Sequence, residues 1–428
     1  MRPLLGVDFG TTNSVVSELA PDGTVRSRRF SLGLADFDVF RTVLCFWNET
    51  GKGRSTLHHA AGPAAIEAYL DDPVDSRLIM SMKSYLAQRS FTQTNVFGRI
   101  FTLEEMIAVF LRALLGEGHD GVHIIAGRPV RFAGEFADDE FGETRLRAAY
   151  AAAGFTSVET ALEPEAAGYR FIRALTAPAT VLVGDFGGGT SDFSLIRFTP
   201  GAAQPITSLG HSGIGIAGDA LDYRIIDHAV SPLLGKGDMY RVMDSVMPVP
   251  ADYYSGFARW HRLSLMRTPR ILRDMEEVAR TAMHPARLRH LISLIKDEVG
   301  YQLYQAVSSV KAELSRAEAA RLHFEHEGFV VDRTIHREEF EAWIAPDLAR
   351  MAASVDQVLQ QANLPPEAVD RVFLTGGTSF VPAVRRIFSE RFGPERLSAG
   401  GEFVSVSEGL ALIGADRAKA GVSREINA

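Results

Sequence analysis

Two hydrophobic patterns alternate along the chain: short apolar runs that stop at glycine, and longer stretches with helical spacing. Leu4-Leu5-Gly6-Val7 runs into Asp8-Phe9-Gly10-Thr11-Thr12-Asn13 and out through Ser14-Val15-Val16-Ser17-Glu18-Leu19. Pro21-Asp22-Gly23 then marks a turn before Thr24-Val25-Arg26. This predicts strand, turn, strand, the start of a meander rather than of a βαβ unit. The pattern recurs 177 residues on, counted from Asp8 to Asp185: Thr180 to Asp185 enters Phe186-Gly187-Gly188-Gly189-Thr190-Ser191-Asp192. Two copies of one unit suggest a duplicated domain.

Between and after these copies the periodicity predicts further elements. Arg41 to Trp47 reads as a strand, and Ala60 to Tyr69 as a helix stopped by Asp71-Asp72-Pro73. Met106, Ile107, Phe110, Leu111 and Leu114 give Leu103 to Leu115 helical spacing. A strand at Val122 to Val130 ends at Gly127-Arg128-Pro129, and Thr144 to Ala153 is a helix closed by Gly154. A helix starts just after Glu163-Pro164, Thr176 to Ala179 is a hinge, and Ala220 to Ala229 is helical. Val246 to Pro250 reads as a loop, and Trp260 to Arg289 as helices. Residues 295–322 read as one long helix, with Leu303, Val307, Val310 and Leu314 on one stripe and Ser308, Lys311 and Ser315 on a polar face. Arg337 to Gln361 is another helix. Val369 to Thr375 is a strand that turns at Gly376-Gly377-Thr378 into a helix from Pro382 to Arg391, and Glu402 to Ala420 is a helix of small residues.

Composition narrows the class. At 428 residues, 46% apolar and 23% charged, the chain has material for two or more domains with ordinary cores. A net charge of −8 gives no basis for a nucleic-acid partner. The single cysteine, Cys45, lies in the apolar run Thr42 to Trp47 and reads as a buried side chain in a reducing compartment. No signal-peptide pattern follows Met1-Arg2-Pro3 and no apolar run is long enough to span a membrane, so the expected setting is cytoplasmic. His323 and His326 sit three apart with no third ligand evident in sequence and no His-Glu-x-x-His, so no metal is expected there.

The two Asp-Phe-Gly loops carry the chemistry. Backbone amides and hydroxyls in such a turn form a concavity suited to phosphate, and the adjacent carboxylate suits the metal ion that accompanies it. Neither glycine loop runs directly into a helix and no Gly-x-x-x-x-Gly-Lys-Ser/Thr occurs, which excludes the Rossmann and P-loop classes. The Gly376-Gly377 turn does precede a helix and could hold polar or anionic groups. On composition alone Lys83, within Arg77 to Leu86, reads as a surface lysine with its stem on the core. Glu163 reads equally as a helix cap or a functional carboxylate.

These motifs resemble the actin-like ATPase superfold. Gly6 to Ser14 and Gly184 to Asp192 resemble the two phosphate loops of the seventy-kilodalton heat-shock chaperones. Ser81-Met82-Lys83-Ser84-Tyr85-Leu86 and Gly127-Arg128-Pro129-Val130 resemble the YegD-like branch of that family. The resemblance implies an α/β fold of ribonuclease H-like type, duplicated into two lobes around a nucleotide cleft. Lobe I would span 1–176 with 402–428 returning to it. Lobe II would span 177–401, with a helical subdomain at about 219–324, and no C-terminal peptide-binding domain would follow. It implies ATP/ADP and Mg²⁺ as ligands. Gly10, Thr11, Thr12, Asn13, Gly187, Gly188, Gly189 and Thr190 would hold phosphates, and Asp8, Asp185 and Asp192 would hold the metal through waters. Lys83 and Glu163, with Asp185 and Thr190, would serve hydrolysis. Gly218, Lys311, Ser315, Gly376, Gly377 and Phe380 would line the adenosine side.

The chain departs from the family pattern where two arginines usually sandwich the adenine: Ala312 and Phe380 stand there, so Phe380 is expected to stack on the base instead. Ser407 replaces an acid beside Glu408. The function implied is a chaperone-like ATPase that slowly hydrolyses Mg-ATP and couples lobe closure to a protein client or co-chaperone, acting as a monomer with no nucleic-acid or membrane partner. The alternatives are a nucleotide-binding interaction module with little turnover, a small-molecule kinase of the same superfold, and an actin-type filament.

Overall fold

A computed structural model describes residues 3–32, 35–51, 54–116, 121–134, 136–173, 175–202, 206–259, 263, 266–399 and 405–426. The chain divides into two units: Met1–Ala68, Met80–Gly218 and Leu348–Ala428 form the first, and Tyr69–Ile79 with Asp219–Asp347 form the second. The expected lobe boundary at 401/402 lies outside the described residues.

The first unit holds two sheets built to one plan. Edge to edge, the first runs Val25–Ser27, Asn13–Leu19, Leu4–Phe9, His123–Arg128, Val158–Leu162, with Phe40–Arg41 pairing off this path onto Asn13–Leu19. The second runs Ile206–Ile214, Ser191–Phe198, Ala179–Phe186, Arg371–Thr375, Leu397–Ala399. In both, the strand that ends in Asp-Phe is central. It pairs antiparallel with the strand that follows its glycine loop and parallel with a strand that arrives by a crossover. The recurrence in sequence is thus a recurrence of topology, and the architecture is mixed α/β with several sheets and no closed barrel among the described residues.

Two helices of this unit, Glu163–Arg173 and Ser405–Ile426, join the two sheets into one core. Ala166, Ala167, Leu410 and Ala411 are buried together with Leu4 and Ile125 of the first sheet and Val181, Val183, Ile196 and Phe373 of the second. The small residues of the last helix are needed for this approach: a Cβ on Gly409 would fall 1.8 Å from the carbonyl oxygen of Ala166. Leu103–Leu115 is a helix as its spacing predicts, started by a capping box in which Thr102 and Glu105 satisfy each other's backbone amides. Cys45 is fully buried, in the hairpin Val43–Gly51 with Arg54–Ala61. Residues 60 and 61 therefore close a strand, and the helix expected from Ala60 begins at Pro63, where proline's fixed φ favours a first helical turn.

The second unit contains the helices Ala251–Phe257, Pro269–Thr281, Pro285–Lys296 and Gly300–Leu314. It also contains the hairpins Met239–Val242 with Ser245–Pro248, and Ala319–His326 with Phe329–His336. Two sequence expectations are corrected here. Val246–Pro248 is strand rather than loop, its prolines lying at the hairpin's end. The single helix expected over 295–322 is interrupted at Asp297–Val299, where Glu298 takes a φ of 54°, and past Leu314 the chain turns and is extended from Ala319. The alternation of Leu322 and Phe324 with polar residues suits a strand with one buried face, and its burial alternates accordingly.

Candidate functional site

The register of the two central hairpins places the loops. Asp8 lies opposite Val15, and Asp185 lies opposite Asp192. The copies are equivalent in backbone but not in charge, since only the second has a carboxylate opposite its aspartate on the partner strand. Asp192 is 1% exposed, and its Oδ1 accepts hydrogen bonds from the Val130 amide (2.8 Å) and the Arg131 amide (3.2 Å). The Gly-Arg-Pro-Val stretch and Arg131 after it thus deliver one amide each to this carboxylate.

Gly10, Thr11 and Thr12 form the turn of the first copy, and Gly187 to Thr190 that of the second, closed by a Gly187 N–H to Thr190 carbonyl bond of 3.0 Å. Asn13 follows, its Oδ1 accepting from Arg41 at 2.9 Å, and the Thr12 carbonyl accepts from the Thr42 amide at 2.9 Å. The two turns meet: a Cβ on Gly189 would lie 3.2 Å from Thr11 Oγ1 and 3.5 Å from Ser84 Oγ. Ser84 belongs to the 3₁₀ turn Met82–Tyr85 that carries Lys83. This turn is entered through Ser81 at φ 52°, a conformation that few non-glycine residues adopt.

Lys83 Nζ donates to Glu163 Oε1 across 2.5 Å, and the two residues are only 6% and 5% exposed. Composition placed Lys83 on the surface; its burial overturns that reading. Glu163 is the first residue of its helix, one position earlier than expected. Burial pushes the carboxyls of Asp8 and Asp192 up to about 7, with Glu163 adding to the rise and Lys83 opposing it. Burial, followed by Glu163 and Asp8, raises Asp185 well above the ordinary carboxylate range. Burial works against the charge on Lys83, but Glu163 and Asp8 outweigh it and raise the ammonium's pKa. Tyr150 sits fully buried beside this charge: burial, Asp8 and Glu163 all raise its phenol, and its hydroxyl has no hydrogen-bond partner among the described residues.

The third glycine turn packs on the second loop. Gly376 takes φ 86°, and a Cβ there would fall 2.1 Å from the Phe186 carbonyl oxygen, so both its conformation and its contact require glycine. Gly377 has open space around it, Ser379 Oγ donates to the Gly376 carbonyl at 2.6 Å, and Phe380 is 45% exposed at the end of the turn. The Gly218 amide reaches the Gly187 carbonyl at 3.5 Å. Ser407 Oγ is buried against Ser17 Oγ at 2.8 Å, and Glu408 pairs with Arg170 at 2.5 Å.

Lys311 and Ser315 belong to the second unit. Lys311 Nζ pairs with Asp222 Oδ2 at 2.8 Å, and Ser315 Oγ bonds back to the Lys311 carbonyl at 3.1 Å. Ala312 is exposed on the same helix. Sequence reasoning did not find Asp222, which lies 89 residues from Lys311 with no motif linking them. Nor did it find Tyr150 or the Val130 and Arg131 amides, since an Ala-rich helix and a strand end carry no chemical signature of their own.

In the first unit, then, the carboxylates of Asp8, Asp185, Asp192 and Glu163 lie near the Lys83 ammonium, with the Thr11 and Gly189 turns meeting beside Ser84. Two buried and two half-buried carboxylates set against one ammonium favour a divalent cation, and the ammonium favours an anion beside it.

Comparison with known proteins finds relatives of one kind. The family model described as Hsp70 protein matches residues 277–415. The chain is similar to the chaperone protein DnaK of Thermus thermophilus, at 23% identity over 404 residues that cover 92% of this chain and 58% of that protein. It is similar to the chaperone protein DnaK of Thermotoga petrophila, at 25% identity over 397 residues covering 92% and 56%. The matched region is therefore somewhat more than half the length of these relatives.

Proposed function

Starting from a chain that is a divergent relative of the Hsp70 proteins, we propose that it binds Mg-ATP in its first unit and slowly hydrolyses it, coupling the nucleotide state to a protein partner. The observation that carries this reading is the sealed Lys83–Glu163 pair beside the juxtaposed Thr11 and Gly189 turns. The equal strand order of the two sheets supports the duplicated actin-like fold.

The residues present fit a divalent ion. Asp192 and Glu163 are buried and Asp8 and Asp185 half-buried, Lys83 is the one ammonium among them in the described residues, and the carboxyls of the three aspartates are raised. Asp8, Asp185 and Asp192 would hold Mg²⁺ through its waters, and the ion would neutralise charge on the phosphate oxygens. Thr11, Thr12 and the amides of Gly187 to Gly189 would orient the terminal phosphates from two sides. Lys83, fixed in direction by Glu163, would present its ammonium to the transferring group and the attacking water, so that positioning and charge stabilisation supply the rate. Gly376, Gly377 and Phe380 would take the adenosine side.

One observation favours a second reading, nucleotide binding with little turnover: Lys311 is committed to Asp222 and Ala312 offers no cation in place of the family's arginine. Phosphate release from Mg-ATP, measured with and without an unfolded polypeptide, separates the readings. Mg²⁺-dependent release that changes with polypeptide supports the first. Tight ADP binding without release supports the second, and phosphate appearing on a sugar or polyol instead of in water overturns both.

A further inference from the structure

We propose that Asp297, His326 and Glu327 of the second unit form a binding site for a divalent first-row transition ion, Zn²⁺ foremost. One ligand atom from each of the three lies within 4.8 Å of the others. They come from two separate elements. Asp297 caps the C-terminus of the helix Pro285–Lys296, while His326 and Glu327 lie at the tip of the hairpin Ala319–His326 with Phe329–His336. The pairing is invisible in sequence, where His326 has only His323 for a neighbour; His323 instead lies opposite Asp332 along the hairpin.

Three features favour a cation. Asp297 stands where the last carbonyls of its helix concentrate partial negative charge. Ser293 Oγ lies 2.8 Å from Asp297 Oδ2 and 2.9 Å from Glu327 Oε2, and its one proton can serve only one of the two carboxylates. The adjacent ammonium, Lys296, is engaged by Glu276 at 2.6 Å. An imidazole with two carboxylates suits zinc and its neighbours, whereas Mg²⁺ and Ca²⁺ take oxygen ligands. The spacing is also suitable. His326 Nε2 and Asp297 Oδ2 share a hydrogen bond of 2.9 Å, whose proton the ion would replace, and ligand atoms on a tetrahedral zinc lie about 3.3 Å apart at the usual bond lengths. A shift of a few tenths of an ångström admits the ion, and Glu327, exposed on the turn, can close over it.

The test is Zn²⁺ titration of the full chain by calorimetry, after chelator treatment and in excess Mg²⁺ so that oxygen-only sites are filled. One Zn²⁺ should bind, and His326→Ala and Glu327→Gln should each weaken it by more than about tenfold, since even residues behind metal ligands matter to that degree. Glu327 is exposed, so its variant keeps the fold, and circular dichroism checks the other. In wild type alone, Zn²⁺ should also raise the melting temperature. No uptake by wild type, or an isotherm unchanged in either variant, overturns the proposal.

Discussion

Lys83 Nζ and Glu163 Oε1 meet at 2.5 Å with both side chains sealed from solvent, and Lys83 is the cation that opposes Asp8, Asp185 and Asp192 as well as Glu163. A buried pair of this kind contributes little net stability, but removing one partner is costly. The arrangement therefore stores an electrostatic deficit that a divalent ion and a polyanion together can relieve.

That deficit has a pH signature. Asp8 and Asp192 titrate near 7 in the folded chain against an ordinary value of 3.8. Because the folded state holds these protons more tightly than the unfolded chain, their contribution to stability is complete below about pH 4 and is lost as pH rises to about 7. Asp192→Asn keeps an acceptor for the Val130 and Arg131 amides but cannot ionise. In urea unfolding without nucleotide or Mg²⁺, the variant should gain stability over wild type as pH goes from 5.5 to 8. A difference that does not change with pH would contradict the assignment.

Gly376 is held at φ 86° with the Phe186 carbonyl where a Cβ would stand. Gly376→Ala should destabilise the first unit by about 1 to 3 kcal/mol in denaturant titration, the usual cost of such backbone strain. Wild-type stability in the variant would mean that the turn relaxes freely.

How much of this was legible in sequence depends on the kind of signal. The central hairpins were, because Asp-Phe-Gly followed by glycine and threonine forces a turn whose flanking apolar runs have strand period. The partnership of Lys83 with Glu163 was not, since 80 residues separate them and neither has a local pattern that implies burial; only the family resemblance singled them out. The break at Asp297–Val299 is not legible because no proline marks it, the glycine beside it, Gly300, opens the next helix, and the left-handed residue is Glu298. The Met239–Pro248 hairpin was hidden by the prolines at its end.

Asp222 is almost fully buried, burial raises its carboxyl, and Lys311 opposes that rise. Its Oδ1 has no hydrogen-bond partner among the described residues. Lys311→Met should therefore cost about 3 to 5 kcal/mol of stability at pH 8, as a broken buried ion pair does. The loss should shrink toward pH 5 as Asp222 takes up a proton. Thermal and urea unfolding at the two pH values measure it, and a loss independent of pH would place the effect elsewhere.

Phe380, 45% exposed at the end of the Gly376 turn, has little packing to lose. Phe380→Ala should leave stability within about 0.5 kcal/mol of wild type, as for most surface changes. If the ring stacks on the base, ADP affinity should fall about fivefold to 150-fold, the equivalent of about 1 to 3 kcal/mol per stacked base. Calorimetry that gives equal affinities would remove the ring from the nucleotide site.

The most direct measurement is single-turnover hydrolysis of Mg-ATP by wild type and Lys83→Ala, below the variant's unfolding transition and with ADP binding as the check on folding. The proposed chemistry requires a rate reduced by at least about a hundredfold, the scale of losing one charge-stabilising group, with ADP still bound. Equal rates in the two proteins would contradict it.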